Sequence, residues 1–393
     1  NTVLRRMARI ELEADAALRQ RLGHFIVVGG GFSGTCAAIQ LRKLGIQVDL
    51  VEIDPEWRTY GAGITVSGAS LRALGTVGVL PQFVEKGFCS DGVDLLTPTG
   101  MVVATLPTPR LADPHIPGNG GIMRPMLCRI LADATRASGT TVRLGVAPAS
   151  FTQEPDCVRV VFNDGSANSY GLVVGADGLY SQTRRALFPE APAPAYSGQG
   201  VWRAVLPRPP SVKRLSMYMG ERTKIGFNPV SQEEMYMFVT EERAVNERVP
   251  DDQLVPQLQA LLAPFPAQLL KDVRAALGSD SSVVYRPLEG LLVPQPWSRG
   301  RVVLIGDAVH ATTPHLGSGA GIGIEDAIVL ADELGREGGV SEALKRFEAR
   351  RWERCRMVVQ SSLRLGEIEA TGGSKEEHAH IMQSAMATLA MPI

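Results

Sequence analysis

Short apolar runs and one amphipathic segment between them dominate the chain just after residue 22. Phe25–Val28 and Val48–Val51 are apolar runs of strand length, and glycines follow the first one. Such runs are typical of strands buried on both faces of a parallel sheet. The stretch between them, from about Ser33 to Leu44, has the length and spacing of a helix. The pattern therefore predicts a strand, a tight turn, a helix and a second strand.

The turn after the first strand carries the glycines of a nucleotide site. Gly29, Gly31 and Gly34 fit the pattern GxGxxG, whose glycines permit a tight turn, close backbone approach to a pyrophosphate and close packing of helix on strand. Glu52 ends the second strand, where a carboxylate accepts hydrogen bonds from ribose hydroxyls and repels a 2′-phosphate. The predicted ligand is FAD or NAD rather than NADP. The alternative is an ordinary strand-to-helix turn without a ligand.

Further along the chain the period of the pattern changes twice. Between residues 196 and 295 apolar side chains alternate with others, as at Leu215, Met217 and Met219, which predicts mainly β-structure. After residue 300 strands and helices return, with a strand at Arg301–Ile305 and a long helix from Ser341. We predict a nucleotide-binding domain from residues 23–190 and 296–365, a β-rich domain at 191–295 and a C-terminal helical tail at 366–393.

Residues 1–22 precede the first strand and form a separate predicted segment. Six apolar residues fall roughly at helical spacing among charged residues: Leu4, Met7, Ile10, Leu12, Leu18 and Leu22. We predict an N-terminal extension helix that packs on the core or on a partner. Acidic residues within the segment count against the alternative, a targeting helix.

The composition narrows the class of protein. The chain has 393 residues, of which 45% are hydrophobic and 21% charged, and its net charge of −1 favours neither nucleic acid nor an anionic membrane. Its five cysteines include no CxxC pair, which argues against a zinc site and a disulfide framework and favours a reducing cytoplasm. No apolar run approaches the roughly 18 residues that span a bilayer, so we expect no stable membrane insertion.

Two later segments each place an acid just beyond a buried strand. LVVGADGLYSQTRR supplies Asp177, and RVVLIGDAVHATTPHLGSGAGIGIEDA supplies Asp307, Pro314 and the glycines from Gly317 to Gly321. Open α/β sheets bind ligands at this edge. Asp307 can accept a hydrogen bond from a ribityl hydroxyl, and the helix that begins at the glycine run directs free N–H groups at a phosphate or a pyridone-like edge.

These three motifs, in this order and spacing, resemble those of the single-component (class A) flavoprotein aromatic hydroxylases, the p-hydroxybenzoate hydroxylase superfamily. The resemblance covers about residues 24–360 and looks nearest to the urate, salicylate, 6-hydroxynicotinate and methylhydroxypyridine-carboxylate hydroxylases. It implies an α/β fold in which a Rossmann-like FAD-binding domain carries an inserted β-sheet substrate domain and a C-terminal helical segment. It also implies an FAD-dependent monooxygenase that hydroxylates a small aromatic or heteroaromatic substrate with NAD(P)H and O₂ through a flavin C4a-hydroperoxide.

Carried over position by position, the resemblance implies a set of residues that hold FAD. The set comprises Gly29, Gly31, Ser33 and Gly34 for the pyrophosphate, Glu52, Ile53 and Val146 for the adenosine, and Thr65, Asp307, Gly317, Ser318, Gly319, Ala320 and Gly321 for the ribityl chain and flavin. Arg124 matches an arginine that reaches FAD from a helix; the alternative is the start of a surface helix. Asp177 matches an acid tied to the pyrophosphate and to NAD(P)H use, and the alternative is a turn-stabilising aspartate.

Four residues are candidates for contact with the substrate. Pro314 matches a family proline whose rigid loop lies against the flavin, and His315 follows it. Arg203, on a strand that enters the β-rich segment, is a candidate counter-charge for a carboxylate or phenolate, and Tyr218 lies on a strand expected to floor the pocket. For His315 the alternative is a loop histidine that is hydrogen-bonded to backbone. For Arg203 it is an arginine on the surface of a strand.

The sequence leaves several choices open. It contains no second GxGxxG unit, so the choice between NADH and NADPH as co-substrate cannot be read from it. Monomer and homodimer are both expected states. The alternative functions are another FAD-dependent oxidoreductase of the same fold and an FAD-binding protein without turnover.

Overall fold

The structure is a computed structural model that describes residues 23–393 together with Arg6, Met7 and Glu13. Apart from these three residues, the predicted extension helix at 1–22 lies outside the described part of the chain. The strands are β1 His24–Val28, β2 Gln47–Glu52, β3 Gly63–Ser67, β4 Phe88–Ser90, β5 Val93–Leu96, β6 Val102–Leu106, β7 Asn119–Met123, β8 Thr141–Leu144, β9 Pro148–Gln153, β10 Val158–Phe162, β11 Ala167–Tyr170, β12 Leu172–Gly175, β13 Ala195–Pro207, β14 Leu215–Met219, β15 Lys224–Pro229, β16 Glu234–Glu242, β17 Val283–Gly290, β18 Ser298–Arg299 and β19 Val302–Leu304.

The helices connect and cover these strands. They are α1 Phe32–Lys43, α2 Gly68–Val77, α3 Leu80–Lys86, α4 Arg124–Ala137, α5 Gln182–Leu187, α6 Asp251–Leu262, α7 Gln268–Ala276, α8 Asp307–His310, α9 Gly319–Gly335, α10 Val340–Thr371 and α11 Lys375–Ala390, with a 3₁₀ turn at Pro314–Leu316.

A six-stranded sheet, in the order β18-β19-β12-β1-β2-β8, forms the centre of the nucleotide-binding part. Its strands run parallel except for the edge strand β18. The apolar runs in β1, β12 and β19 are buried because helices cover one face of the sheet and β9–β11 lie against the other. Small residues such as Cys36 and Ala37 let α1 pack closely against the sheet and α9. The predicted parallel α/β arrangement follows directly from these runs.

A seven-stranded sheet, in the order β17-β13-β16-β15-β14-β5-β6, lies over the nucleotide-binding part. One face of this sheet packs on α6 and α7 in a core that contains Trp202, Phe227 and Leu258. The opposite face turns towards β3, β7 and the long helix α10. Each strand therefore carries one row of side chains into its own core and a second row towards the rest of the molecule.

The β-rich segment differs from the sequence prediction in two respects. Residues 251–276 form α6 and α7 rather than further strands, since apolar side chains three or four positions apart, such as Leu258 and Leu262, cover the outer face of the sheet. Two strands of the sheet, β5 and β6, come from residues 93–106, outside the predicted segment 191–295. Which strands join a sheet depends on backbone hydrogen bonds between them, and a sequence pattern does not indicate these bonds. The domain boundaries themselves stay a prediction.

Candidate functional site

The glycine turn between β1 and α1 is closely packed on one side and open on the other. Gly29 has a φ of +106°, and a Cβ there would lie 2.2 Å from the carbonyl oxygen of Ala176. A Cβ on Gly34 would lie 1.9 Å from the carbonyl oxygen of Gly29. Apart from its neighbours in the chain, no atom of the described residues lies within 4 Å of the Cβ position of Gly31, so a ligand can approach the backbone there. The three glycines thus have the separate roles that a pyrophosphate turn requires.

Glu52 stands at the end of β2, beside this turn. Its Oε2 accepts a hydrogen bond from the N–H of Gly30 at 2.8 Å, and its Oε1 accepts one from the N–H of Asp54 at 2.9 Å. Ile53 is exposed. The backbone therefore fixes the Glu52 carboxylate while one side of it stays open to a ribose.

Trp57 supports the same turn, and the sequence analysis missed it. Its Nε1 donates a hydrogen bond to the carbonyl of Gly30 at 2.9 Å, and the Arg136 guanidinium lies 5.3 Å from its ring. Its φ of +51° is uncommon for a bulky residue. A Cβ on Gly30 would meet the indole at 2.5 Å, which explains the glycine at this position. A lone tryptophan in a loop carries no sequence signal for this role.

The loop after β19 approaches the glycine turn from the other side. Gly306 has a φ of +61°, and a Cβ there would lie 2.5 Å from Ser33 Oγ. Asp307 faces the groove between them with an exposed edge and protein on its other sides. This enclosure raises the pKa of its carboxyl group, and nearby His310 and Arg124 partly offset the rise. The structure thus brings Ser33, Asp307 and Arg124 together at one groove.

Arg124 begins α4 and lies with its guanidinium 4.9 Å from the centre of the Phe32 ring. Its side chain is exposed to the groove, and it makes no hydrogen bond to the described part of the chain. The guanidinium is therefore held in position by the ring while its donors remain free for an anionic group.

The N-terminus of α9 is a second set of free donors. The first helical hydrogen bond runs from Ile322 N to Ser318 O at 2.9 Å, so the N–H groups of Gly319, Ala320 and Gly321 have no acceptor within the helix. Gly317 has a φ of +58° and closes the 3₁₀ turn. A Cβ on Gly321 would lie 2.0 Å from Ser70 Oγ, so this glycine lets α2 and α9 approach closely.

Two of the predicted FAD contacts are already engaged within the protein. Asp177 Oδ2 accepts hydrogen bonds from the N–H and Oγ1 of Thr183, each at 3.0 Å, and its Oδ1 accepts one from Ser181 Oγ. Asp177 thus accepts hydrogen bonds at the start of α5, and its role towards FAD and NAD(P)H stays a prediction. The N–H of Val146 donates to the carbonyl of Glu52 at 3.1 Å, which leaves the Val146 carbonyl as the group that can meet adenine.

A buried ionic network holds the loop that carries Asp307. Asp326 Oδ2 accepts hydrogen bonds from the N–H of Gly306 at 2.9 Å and from His310 Nε2, while Arg351 Nε donates to Oδ1 at 2.7 Å. Burial alone would raise the pKa of Asp326, but His310 and Arg351 lower it to about 2. Burial would likewise lower the pKa of His310, yet Asp326 raises it well above its usual value. His310 therefore holds this loop rather than facing the groove.

Arg203 and Tyr218 lie on opposite faces of the seven-stranded sheet. The pairings Arg203–Phe238, Phe238–Gly226 and Gly226–Met217 put these four residues in one row on the face towards the nucleotide-binding part. Tyr218 is next to Met217, so it points the other way, into the core beneath α6 and α7. The prediction that Tyr218 lines the pocket is therefore wrong, because strand periodicity gives the face only relative to a neighbour.

Phe238 and Arg203 define the surface of this row. A Cβ on Gly226 would lie 2.0 Å from Phe238 Cζ, so the phenyl ring lies over Gly226. Arg203 Nε donates to Tyr236 Oη at 3.1 Å, and its two terminal nitrogens make no hydrogen bond to the described residues. Met217, Phe238 and Arg203 are only partly buried although the neighbouring row is buried. The row is thus a partly open apolar wall with one free cationic group.

Both ends of the 3₁₀ turn at Pro314–Leu316 lie beside side chains that bind β15. At its far end a Cβ on Gly317 would lie 4.0 Å from Thr65 Cγ2, and Asn228 Nδ2 donates to Thr65 Oγ1 at 3.0 Å. At its near end His315 Nε2 lies 3.4 Å from Glu369 Oε2, and Lys224 Nζ lies 2.8 Å from Glu369 Oε1.

Three residues of β15 share the face on which these contacts lie. Lys224, Gly226 and Asn228 alternate along the strand and point to the same side. The turn is thus linked to β15 indirectly, through Thr65 towards Asn228 and through Glu369 towards Lys224.

His315 does not point into the open groove. Its side chain is 1% exposed, its Nδ1 lies 2.9 Å from Thr313 Oγ1, and its ring packs against Gly366. Burial lowers the pKa of His315 below its usual value. The expectation of direct substrate contact is not met, because the fold turns the ring into a polar cluster with Glu369.

The comparisons with known proteins agree with this geometry. The chain is 32% identical to 2-heptyl-3-hydroxy-4(1H)-quinolone synthase of Pseudomonas aeruginosa over 87% of this chain and 88% of that protein. It is 31% identical to 3-amino-4-hydroxybenzoate 2-monooxygenase of Streptomyces cremeus over 87% of this chain and 86% of that protein. The structure of Klebsiella pneumoniae HpxO with FAD and uric acid superposes with a TM-score of 0.79 at 25% identity, over 93% of this chain and 92% of that one.

The fold, the glycine turn and the donors around the groove define a flavoprotein of the aromatic hydroxylase class. Residues 24–362 match the family described as FAD binding domain. The chain belongs to this family and is an FAD-dependent monooxygenase. The predicted fold class, family and FAD cofactor are thereby confirmed. Among the described residues no helix combines the length and apolar character needed to cross a membrane.

Proposed function

We propose that this monooxygenase hydroxylates a small aromatic or heteroaromatic ring that carries a hydroxyl or amino group. The names of the two relatives refer to a hydroxyquinolone and an aminohydroxybenzoate, and the HpxO structure contains uric acid. Transfer of an electrophilic oxygen requires an electron-rich ring, and loss of a hydroxyl proton enriches the ring further. The reaction uses O₂ and either NADH or NADPH.

The groove residues described above are the proposed FAD cradle. The open approach at Gly31, the carboxylate of Glu52 and the free N–H groups at the start of α9 suit the pyrophosphate, ribose and flavin edge, respectively. Asp307 and Arg124 complete the groove. When bound there, FAD supplies the redox and oxygen chemistry, and the protein positions the substrate and excludes water.

The substrate pocket is proposed to lie over Gly226, beneath the 3₁₀ turn that carries Pro314. The single observation that carries this placement is that both ends of the turn lie beside partners of β15: Gly317 beside Thr65, which binds Asn228, and His315 beside Glu369, which binds Lys224. The ring of Phe238 forms the floor and Met217 the adjoining wall. An aromatic ring can stack on Phe238 there while the apolar surroundings keep water away.

Arg203 is the proposed counter-charge for the substrate. It lies beside Phe238 in the same row, and its two terminal nitrogens have no hydrogen-bond acceptor among the described residues. A carboxylate or phenolate on the substrate would supply the acceptors that these donors need. Tyr236 holds the guanidinium through Nε, so Arg203 can orient an anion without moving.

The test combines a substrate panel with the substitution Arg203→Gln. The panel contains 4-hydroxyquinoline, 3-amino-4-hydroxybenzoate and uric acid, and the readouts are NAD(P)H consumption, H₂O₂ and label from ¹⁸O₂ in the product. Arg203→Gln should weaken substrate binding by about tenfold or more, since a hydrogen bond to a charged group contributes about 1.5–3 kcal/mol, and should leave FAD content unchanged.

The matched control is Arg248→Gln, because the side chain of Arg248 is 89% exposed. It should leave substrate binding at the wild-type level. Unaltered substrate binding in Arg203→Gln would remove Arg203 from the pocket. Absence of label from every product would contradict the proposed reaction.

Two further points stay proposals. We place the protein in the cytoplasm, on the strength of its cysteine usage. Its state in solution is a monomer or a homodimer, and light scattering on the purified protein distinguishes the two.

A further inference from the structure

The row of side chains that contains Arg203 and Phe238 continues across the sheet to its outer strand. Met217 of β14 pairs with Leu95 of β5, and Leu95 pairs with Ala104 of β6. Residues that stand directly opposite each other on neighbouring strands present their side chains on the same face. The face that carries the proposed pocket therefore extends beyond Met217 as far as β6, the edge strand of the sheet.

A second pair of side chains widens this part of the face. Val93 lies two residues before Leu95 on β5 and pairs with Leu106 of β6, so both share the face of Leu95. We call the five residues of this surface the apolar track. They are Met217, Leu95, Val93, Ala104 and Leu106.

The apolar track is only partly covered by the protein. Four of its side chains are half-buried and that of Leu106 is 40% exposed. On the opposite face of the same strands Tyr218 and Leu96 are buried beneath α6 and α7. None of the five track residues carries a charge or an amide or hydroxyl group on its side chain. An apolar surface that stays open beside a binding site is typical of a surface that a ligand covers.

Polar groups bound the proposed pocket in the other directions. Along β15, Lys224 lies on one side of Gly226 and Asn228 on the other. Across the sheet, Arg203 lies on the far side of Phe238. A ring that rests on Phe238 thus has a cation on one side, polar side chains towards both ends of β15, and the apolar track on the fourth side.

From this geometry, and resting on the proposed function, we propose that the apolar track binds a straight aliphatic chain of the substrate. The substrate class is then a phenol or a hydroxylated heteroaromatic ring that carries this chain on the side opposite its anionic oxygen. The oxygen faces Arg203, the ring lies on Phe238, and the chain crosses Met217 and Leu95 towards β6. Neighbouring strands lie about 4.8 Å apart, so the track extends about 14 Å beyond Gly226.

The contact between chain and track depends on area rather than on hydrogen bonds. Each methylene that leaves water should tighten binding by about fourfold. The gain should continue while the chain lies on Met217, Leu95 and Ala104, and should stop once the chain passes β6. Charge at Arg203 therefore selects the orientation of the ring, and the apolar track selects the length of its substituent.

The test compares phenols that differ in chain length and position, in the FAD-loaded protein. Titrations followed by flavin absorbance give the dissociation constants of 4-methylphenol and 4-heptylphenol. The heptyl compound should bind about a hundredfold more tightly or better, since each methylene contributes about fourfold when it is fully covered. For 2-heptylphenol the gain over 2-methylphenol should be less than about tenfold, because its chain would point along β15 at polar side chains.

Two substitutions locate the chain on the protein. Leu95→Asn should reduce the ratio of the two 4-alkylphenol dissociation constants by about tenfold, because it places an amide under the chain, and its FAD content reports that the protein is folded. Leu106→Asn lies nearer the edge and should reduce the further gain from 4-heptylphenol to 4-nonylphenol. Leu363→Asn on α10 is the matched control, because Leu363 is 37% exposed, and both ratios should equal those of the wild type.

The outcomes separate this inference from the proposed function. Equal affinity of the wild type for 4-methylphenol and 4-heptylphenol, or wild-type ratios in both Leu95→Asn and Leu106→Asn, would overturn the inference and leave the proposed function standing. A wild-type dimer in light scattering that both substitutions dissociate, without a gain from the chain, would assign the track to a second copy of the chain. If no phenol perturbed the flavin, the proposed function itself would be contradicted, and the inference with it.

Discussion

Two buried histidines, five residues apart, lie in opposite electrostatic environments. His310 donates to an Asp326 carboxylate whose two oxygens are both engaged by protein donors, and the pKa of His310 is raised. His315 lies beside a Glu369 carboxylate that accepts hydrogen bonds on one oxygen only, and the pKa of His315 is lowered. Both oxygens of the Asp326 carboxylate are thus engaged by the loop and by α10, whereas Oε2 of Glu369 has no hydrogen-bond donor among the described residues.

The difference between the two clusters arises from their positions. The Asp326 cluster lies between α8, α9 and α10 inside the nucleotide-binding part, and all its side chains are fully buried. The Glu369 cluster, formed by Glu369 with Lys224, His315 and His378, lies where α10 and α11 meet the seven-stranded sheet, and His378 reaches solvent. The same pairing of histidine and acid is thus enclosed by protein in one place and reaches the surface in the other.

The largest expected loss of stability comes from changing the acid Asp326 to its amide. The same change at Glu369 provides the comparison. Asp326→Asn should lower the free energy of unfolding by about 3–5 kcal/mol, the cost of breaking a buried ion pair. Since Asp326 accepts on both oxygens, the amide nitrogen must face a donor, either Arg351 or the N–H of Gly306. Urea unfolding of the FAD-loaded protein measures the loss.

Asp332→Asn on the same helix is its control, because the Asp332 side chain is 55% exposed and pairs with Arg350 on the surface. It should change stability by no more than about 0.5 kcal/mol. A similar small loss for Asp326→Asn would mean that the Asp326 cluster does not hold the loop.

A smaller loss is expected from Glu369→Gln, about 1–3 kcal/mol. Its amide oxygen can keep the hydrogen bonds from Lys224 and His378, while the amide nitrogen takes the place of Oε2, which accepts none. Urea unfolding again gives the value, with Glu367→Gln, whose side chain is 62% exposed, as the matched control. A loss as large as that of Asp326→Asn would remove the contrast between the clusters.

The smallest effect is on the pH dependence of stability, and its sign differs between the two histidines. Because folding raises the pKa of His310, this residue contributes fully to the free energy of unfolding below its unfolded-state pKa of about 6.5. The contribution is lost as pH rises through the raised pKa. The lowered pKa of His315 means that stability falls as pH drops below about 6.5, since the unfolded chain then binds a proton that the fold excludes.

Unfolding free energies measured across pH check this contrast. His315→Gln should reduce the fall in the free energy of unfolding on the acid side, and His310→Gln should reduce the fall on the alkaline side. Each reduction should be up to about 1.4 kcal/mol per pH unit. His380→Gln, at an exposed position, should alter neither side. If both histidine variants flattened the same side, the two environments could not be opposite.

Much of the nucleotide-binding part was predictable from sequence because its contacts are local in the chain. The turn at Gly29–Gly34 and the acid Glu52 fall within one strand–helix–strand unit, so spacing alone predicted their meeting. The loop at Asp307 and the start of α9 were predicted in the same way. The contact of Trp57 with Gly30 was not predicted, because a single side chain in a loop forms no sequence pattern.

The pocket end of the molecule could be predicted only in part. Alternation predicted strands there, and Arg203 was chosen as a cation on one of them, but the pattern did not give the face on which each side chain lies. Tyr218 was therefore assigned to the wrong face. The direction of His315 depends on Gly366 and Glu369 of α10, an element that joins the site only through tertiary packing.

The sequence by itself determined the strand–turn–helix units, since each depends on residues close together in the chain, and its three motifs indicated the class of chemistry. Only the tertiary structure decided which distant side chains meet at the proposed pocket and around Glu369. Lys224 and Glu369 are 145 residues apart, and Asn228 and Thr65 are 163 apart. Such pairs form when two sheets and a long helix pack together. Their partners are selected by burial and charge in three dimensions, which no local pattern encodes.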